Sequence, residues 1–364
     1  MRGVGRAVRR TARDCVTVMD LWWLREASLF ASGSDALVAL VRWGSRRHGW
    51  RRVWLPSYYC PEVPAALRSL AADDVELRAY PDHALPAPPA VEGIPVTPGD
   101  VVVVANQLGI RSRPGSARVA RLASGGVVVV EDHSHDLGSA WARESNADYA
   151  FASLRKTLPI PDGGAAWSPR RLEVPPEPSG ANERAGRDDL AGPALERLAA
   201  ALLRRDERVG PPDDRLRFRA FARSAARRAG STSRPGIAPI SRALLPHMPA
   251  DAWRARTRRN FEVLVAEVEL PPRAHVLLPP AGGVAFAFTV VFDTQGDRGR
   301  AERALVERAV VPTVLWPLDP LRDPGAGRAD ADLSRRILSI HCDQRYDEEA
   351  MHRLAAILTA ALGA

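Results

Sequence analysis

Lysine is almost absent from this sequence. Of its 51 lysine and arginine residues, one is a lysine, Lys156, and all the others are arginine. Either side chain keeps a surface soluble, so arginine can replace lysine there at little cost. It cannot replace lysine where a neutral amine must act as a nucleophile, because the guanidinium stays protonated. Lys156 is therefore a candidate for chemistry, although a surface lysine retained by chance would give the same count.

Cysteines and long apolar runs are also scarce. Cys15, Cys60 and Cys342 are few, odd in number and far apart, so they suggest neither a disulfide framework nor a metal site. Apolar runs such as residues 101–105 are far shorter than the roughly 20 residues that cross a bilayer. The basic N-terminus is not followed by an apolar stretch with a cleavage site. We expect a cytoplasmic protein with no membrane association and no metal.

The net charge of +8 raises the question of nucleic-acid binding. The basic residues are mostly interleaved with Asp and Glu along helical segments, which is the pattern of solvated faces. Residues 215–228 are denser in arginine, but Phe218 and Phe221 at helical spacing also fit a helix that packs on its own domain. Nucleic acid is therefore not the expected partner, and RNA or membrane binding stays a minor alternative.

Helix and strand patterns alternate from residue 34 to about 168, which predicts an α/β domain with a largely parallel sheet. The helices are predicted at residues 34–49, 61–72 and 116–123. The strands are predicted at residues 52–55, 75–80, 101–105, 127–130, 149–154 and 164–167.

A second α/β unit begins near Pro249, with a helix to residue 264, a C-terminal amphipathic helix, and strands at residues 284–292, 311–316 and 337–342. Before it, a stretch rich in Pro and Arg predicts connecting helices at 190–205 and 216–228. The predicted organisation is an N-terminal arm at 1–30, a large domain at 31–248 that includes the connection at 169–248, and a small C-terminal domain at 249–364.

Polar residues stand where the predicted strands end, and ligands of open α/β sheets bind beyond the carboxyl ends of the strands. The first helix begins at Gly33, Ser34 and Asp35, and a helix N-terminus suits a phosphate, although a plain serine cap would look the same. The other strand ends carry Ser57, Tyr58 and Tyr59; Asn106 and Gln107; Glu131, Asp132, His133 and His135; and Lys156.

Each of these residues also has a simpler explanation as a core aromatic, a turn residue or a histidine paired with a carboxylate. The run from Asp132 to Asp136 could indicate a metal site or a serine hydrolase, but it lacks familiar ligand spacing and the glycines of a nucleophile elbow. A carboxylate, a phosphate-ready helix start, an aromatic residue and the only lysine together fit a pyridoxal phosphate (PLP) site. There a lysine condenses with the aldehyde, and a carboxylate keeps the ring nitrogen protonated.

The stretch from about 30 to 168 resembles the DegT/StrS-type aminotransferases, which include many sugar aminotransferases. Residues 32–37 are similar to the family's Ser-Gly-Thr-x-Ala-Leu phosphate segment, and residues 55–60 to its Pro-x-x-x-aromatic strand end. Residues 130–138 are similar to its Glu-Asp-x-x-x-x-x-Gly stretch. Residues 150–156, followed by Asp162-Gly163-Gly164, resemble the segment that carries the cofactor lysine.

This resemblance implies a fold-type-I PLP-dependent transferase, with a mostly parallel seven-stranded sheet in the large domain and a smaller C-terminal α/β domain. It implies that Lys156 is the Schiff-base lysine, that Asp132 binds the ring nitrogen and that His135 lies near the ring hydroxyl. The stacking aromatic of the family aligns with Cys60, and a histidine is frequent at Asn106. The other residues assigned to the cofactor are Ser34, Asp35 and Ser153 at the phosphate, together with Gly33, Tyr59 and Asn106.

We therefore expect a PLP-dependent aminotransferase of a sugar or secondary-metabolite pathway, in which Lys156 shuttles a proton between the substrate carbon and the cofactor carbon. An amino acid such as glutamate is the expected amino donor, and the acceptor is a carbonyl compound. A PLP-dependent lyase, decarboxylase or bond-forming enzyme acting on an amino acid stays open, because the same carbanion precedes these reactions. A PLP-binding regulatory or partner protein with little turnover stays open as well. Members of the family are usually dimers whose sites take residues from both subunits, so a homodimer is expected.

Overall fold

A computed structural model of the protein describes residues 26–68, 70, 75–178, 236–319 and 325–363. The connecting helices predicted at 190–205 and 216–228, and most of the predicted N-terminal arm, lie outside these residues. In the part of the chain that the structure describes, no helix is long and apolar enough to cross a membrane.

The large sheet has seven strands and is mostly parallel, so this prediction is confirmed. Its strands are β1 (Ser28–Phe30), β2 (Arg52–Pro56), β3 (Glu76–Tyr80), β4 (Asp100–Ala105), β5 (Val128–Asp132), β6 (Tyr149–Ser153) and β7 (Gly164–Trp167). They lie in the order β1-β7-β6-β5-β4-β2-β3, in which every pair from β3 to β6 is parallel. The β6–β7 and β7–β1 pairs are antiparallel. The carboxyl ends of β2, β4, β5 and β6 therefore share one edge.

Burial on both faces explains the apolar runs of the central strands. Every residue of β4 is buried, as covered parallel strands require. The helices that accompany the large sheet are α1 (Gly33–His48), α2 (Glu62–Leu67), α3 (Ser116–Ser124), α4 (Ala140–Arg143) and α5 (Pro239–Leu244). Leu37 and Leu40 of α1 are fully buried against Val53 and Phe151 of the sheet. Each such leucine contributes about 1.5–3 kcal/mol.

The second sheet is antiparallel, in the order β10-β9-β8. Its strands are β8 (Ala274–Val276), β9 (Phe288–Phe292) and β10 (Ile337–Ile340). It is accompanied by the helices α6 (Ala250–Glu267), α7 (Gln295–Glu307), α8 (Arg328–Arg336) and α9 (Glu348–Leu362). The division into domains at residue 249 stays a prediction.

Two strand predictions near this sheet were wrong in extent. Residues 311–316 form a single bridge, Thr313 to Ser339, instead of a strand. Pro312 lies within the segment and Pro317 follows it, and neither has an N–H to give to a ladder. The strand predicted at 284–292 begins at Phe288, because Phe286 donates its N–H to the carbonyl of Leu108 in another part of the chain.

A close backbone contact fixes the start of α1. A Cβ atom at Gly164, the first residue of β7, would lie 2.0 Å from the carbonyl oxygen of Ser32 and 2.6 Å from the nitrogen of Gly33. Gly163 donates its N–H to the carbonyl of Ala31 at 2.9 Å. The Asp-Gly-Gly segment thus lets the chain before α1 lie directly against β7.

Gly164→Ala is expected to lower the free energy of unfolding by about 1–3 kcal/mol, because the added methyl group has no space. Gly299→Ala is the matched control: its Cβ would meet only Arg303 at 3.7 Å inside α7. There the change should raise the free energy of unfolding by about 0.4–1 kcal/mol. Urea denaturation followed by circular dichroism measures both, and equal effects would contradict the packing argument.

Candidate active site

A cleft at the carboxyl edge of the large sheet collects the residues that the sequence singled out. It encloses about 580 Å³, including space open to solvent, which is in the usual range for small-molecule sites. Asp35 is the one predicted site residue that does not line it. The predicted residues that do line it are Gly33, Ser34, Tyr59, Asn106, Asp132, His135, Ser153 and Lys156.

Asp132, the last residue of β5, is held by two hydrogen bonds. Tyr59 donates its hydroxyl to Oδ2 at 2.5 Å, and the N–H of Ser134 donates to Oδ1 at 2.8 Å. Burial raises the pKa of Tyr59 well above its usual value, and the charge of Asp132 adds to this effect. Tyr59 therefore stays protonated and fixes the direction of the carboxylate.

The neighbouring Tyr58 lies elsewhere. It is fully buried in the core around the second sheet, and its hydroxyl donates to the carbonyl of Leu315 at 2.6 Å. Gln107 donates its amide to the carbonyl of Tyr58. Of the two tyrosines, Tyr59 is thus the one at the cleft.

The N-terminus of α1 lies against the end of β6. A Cβ atom at Gly33 would come within 2.9 Å of both Cβ and N of Ser153. The N–H of Ser153 in turn donates to Oγ of Ser134 at 2.9 Å. This glycine leaves room for a small cradle at a helix N-terminus, where free N–H groups and the helix dipole favour an anion.

Asp35 belongs to the cap of α1. Oγ of Ser32 accepts a hydrogen bond from the N–H of Asp35 at 3.1 Å and donates one to its Oδ2 at 2.7 Å. Its N–H and its carboxylate are thus both engaged within the cap. The predicted contact of Asp35 with a phosphate stays a prediction, and the structure gives this residue a role in capping the N-terminus of α1.

Asn106 braces the loop that follows β5. Its amide donates to Oδ2 of Asp136 at 2.8 Å, and its carbonyl oxygen accepts the N–H of Arg111 at 2.9 Å. Ser139 also donates to Oδ2 of Asp136, at 2.8 Å. The polar atoms of Asn106 are therefore engaged within the protein, while its predicted cofactor role stays a prediction.

The imidazole of His133 is buried between the carboxylates of Asp136 and Glu131. Its Nδ1 is 2.9 Å from Asp136 and its Nε2 is 3.0 Å from Glu131. Burial alone would lower the pKa of His133, but the charges and hydrogen bonds of the two carboxylates outweigh it and raise the pKa to about 10. His133 is thus a cation that ties β5 to the following loop.

Lys156 lies on a single 3-10 turn, Leu154–Lys156, directly after β6. Its Nζ is 3.1 Å from Nε2 of His135 and 5.5 Å from the ring centre of Trp316. The His135 ring is stacked between Phe286, at 4.4 Å, and Trp316, at 5.5 Å between ring centres. Burial, the largest cause, lowers the pKa of His135 well below its usual value. The imidazole is therefore neutral.

Several residues of the cleft were missed by sequence reasoning. Ser32 could have been found from its position three residues before Asp35, which is typical of a helix cap. Trp316 carries no such signal, because it reaches the cleft from a distant segment that was predicted as a strand. The other lining residues outside the predicted set are Cys60, Glu62, Val63, Ala105, Gln107, Ser134, Phe151 and Arg155.

No protein-family model matches the sequence, and no curated protein matches it. Solved structures match over most of the chain. The sugar aminotransferase CalS13 from Micromonospora echinospora is 14% identical, with 92% of this chain and 87% of that chain covered and a TM-score of 0.56. DesV from S. venezuelae, solved with a ketimine intermediate, is 16% identical, with 98% and 93% covered and a TM-score of 0.59.

NtdA from Bacillus subtilis, with bound cofactor PMP, is 14% identical, with 94% of this chain and 74% of that chain covered and a TM-score of 0.60. These likenesses establish the fold. The chain has the fold type I of PLP-dependent aminotransferases, as the sequence resemblance predicts.

The charge of His133 predicts a pH dependence of stability. Because its pKa is higher in the folded protein than the value of about 6.5 in an unfolded chain, its contribution is complete below about pH 6.5. That contribution is lost as the pH rises towards 10, the folded value. We expect the free energy of unfolding to fall over this range, and the fall to be smaller in His133→Gln.

Urea denaturation at a series of pH values measures this slope. His275→Gln, at an exposed position on β8, is the control and should keep the slope of the wild type. An unchanged slope in His133→Gln would show that another group causes the loss.

Proposed function

We propose that this protein is a PLP-dependent aminotransferase of a sugar or secondary-metabolite biosynthetic pathway. The convergence of Lys156, Asp132 and the N-terminus of α1 on one cleft carries the proposal. The fold supports it, because solved proteins of this fold include a sugar aminotransferase and a protein with bound PMP. A second copy of the chain, an amino donor and a carbonyl acceptor as partners, and a cytoplasmic location are parts of the same proposal.

The residues of the cleft fit PLP chemically. Asp132 offers a fixed carboxylate for a protonated ring nitrogen, and Gly33, Ser34 and Ser153 surround a helix N-terminus that suits a phosphate. Lys156 supplies the amine for a bond to the aldehyde. When bound, the cofactor would supply an electron sink through its protonated ring nitrogen.

The residues around the cleft would have different roles in the reaction. Nζ of Lys156 would be freed by the incoming amine, take the proton from the α-carbon of the amino donor and later deliver a proton to the acceptor carbon. Tyr59 and the N–H of Ser134 would keep the carboxylate of Asp132 in a fixed direction. Trp316, beside Lys156, would exclude water from one wall of the cleft.

A single-turnover assay with glutamate tests this function. The wild type loaded with PLP should lose its yellow colour and release about one equivalent of 2-oxoglutarate per bound cofactor, because glutamate leaves its amino group on the enzyme. Lys156→Arg keeps the positive charge but loses the nucleophile, so its rate should fall by three orders of magnitude or more. Arg303→Lys, on the exposed face of α7, should react like the wild type.

Two outcomes would count against the proposal. A protein that does not bind added PLP would show that PLP is not its cofactor. A protein that binds PLP but releases no oxoacid from any common amino donor would favour a lyase, a decarboxylase or a bond-forming enzyme instead.

A further inference from the structure

The backbone of Leu108 has an unusual conformation beside the cleft. Its φ of 59° and ψ of 5° lie in the left-handed region of the backbone angles, which residues other than glycine rarely adopt. Its side chain is fully buried, and its carbonyl accepts the N–H of Phe286 at 2.8 Å. The conformation directs the N–H of Leu108 to Nδ1 of His135 at 3.0 Å.

This contact decides which nitrogen of His135 carries the proton. A backbone N–H can only donate, so Nδ1 must accept and cannot hold a hydrogen. Because His135 is buried and neutral, its proton is on Nε2. That N–H faces Nζ of Lys156 at 3.1 Å.

A lysine ammonium has three donors and no acceptor, so its N–H groups would face the N–H donor at Nε2 of His135. A neutral amine has a lone pair and can accept the hydrogen bond. A cation–π contact with the ring of Trp316 would favour the ammonium. The distance from Nζ of Lys156 to the ring centre is 5.5 Å, which is close to the outer limit of about 6 Å for such contacts. Cys60 also acts electrostatically on Lys156, and burial raises the pKa of its thiol, which keeps it neutral. The charged residues Asp132, Glu62 and Arg155 line the same cleft.

We propose that His135 is a positioning residue for Lys156: the N–H of Leu108 fixes it as the Nε2–H tautomer, and it donates a hydrogen bond to the neutral amine of Lys156. The rings of Phe286 and Trp316 both stack on the imidazole, which restrains its rotation. The contact disfavours the ammonium, and the neutral amine has the lone pair that can attack an aldehyde once this hydrogen bond is released. The role of this hydrogen bond in catalysis rests on the proposed function. The hydrogen bond itself joins two residues of the chain and needs no cofactor.

The lysine content of the chain makes this testable. Lys156 is the only lysine, so an amine-reactive reagent modifies one side chain whose peptide is read by mass spectrometry. The rate of modification is measured at neutral pH on the full chain freed of cofactor. His135→Phe should react about three- to tenfold more slowly than the wild type, the factor that corresponds to one hydrogen bond.

Two further variants separate the hydrogen bond from packing. His135→Gln carries an amide N–H that can donate, so it should recover most of the rate. Phe286→Leu loosens the stack but leaves the donor in place, so it should slow the reaction less than His135→Phe, which keeps an aromatic ring and removes the donor. A His135→Phe protein that reacts as fast as the wild type, or faster, would overturn the proposal, as would a Gln variant no better than the Phe variant.

Nitrogen NMR of the wild type gives an independent reading that needs no variant to fold. We expect His135 to show a protonated Nε2 and a bare Nδ1 that stay unchanged between about pH 5 and 8. A protonated Nδ1 would overturn the proposal. Because neither measurement uses PLP or substrate, their failure can be distinguished from a failure of the proposed function in the glutamate assay.

Discussion

The close contact between the start of α1 and the ends of β6 and β7 is the constraint on which the cleft depends. Gly33 lies against Ser153, and Gly164 lies against Ser32, at distances that leave no space for a side chain. The contact joins the helix N-terminus to the strand after which Lys156 follows. Because β5 and β6 are parallel neighbours, Asp132 then lies at the same edge. This packing brings together the N-terminus of α1, Asp132 and Lys156, which are far apart in the sequence.

Buried polar groups keep the loop after β5 in place. Asp136 accepts hydrogen bonds from His133, Asn106 and Ser139, so its charge is fully engaged. Such a buried charge cluster is costly to desolvate and stable only while each member has its partners. Removing His133 would leave the buried carboxylate of Asp136 without its counter-charge, which costs about 3–5 kcal/mol. Asp132 ends β5 directly before this loop and His135 lies in it, so the cluster sets the positions of both residues at the cleft.

The sequence predicted the central strands because covered parallel strands are continuous apolar runs, as in β4. It also predicted that Asp132 and Lys156 lie at strand ends on the same edge of the sheet. It did not predict Trp316 or Phe286, since the contact of each with His135 depends on how distant segments pack. The run at 311–316 resembled a strand, but Pro312 within it, Pro317 after it and the hydrogen bond from Tyr58 favour another arrangement. β8 was missed because it has three residues, too few for a recognisable alternation.

The central claim is that Lys156 forms a covalent bond with PLP, and borohydride reduction tests it most directly. The protein is mixed with PLP, reduced and digested, and the peptides are analysed by mass spectrometry. We predict that the reduced cofactor is found on the peptide that contains Lys156, and that Lys156→Ala yields no modified peptide. A wild type that carries no cofactor on Lys156 after reduction would contradict the account.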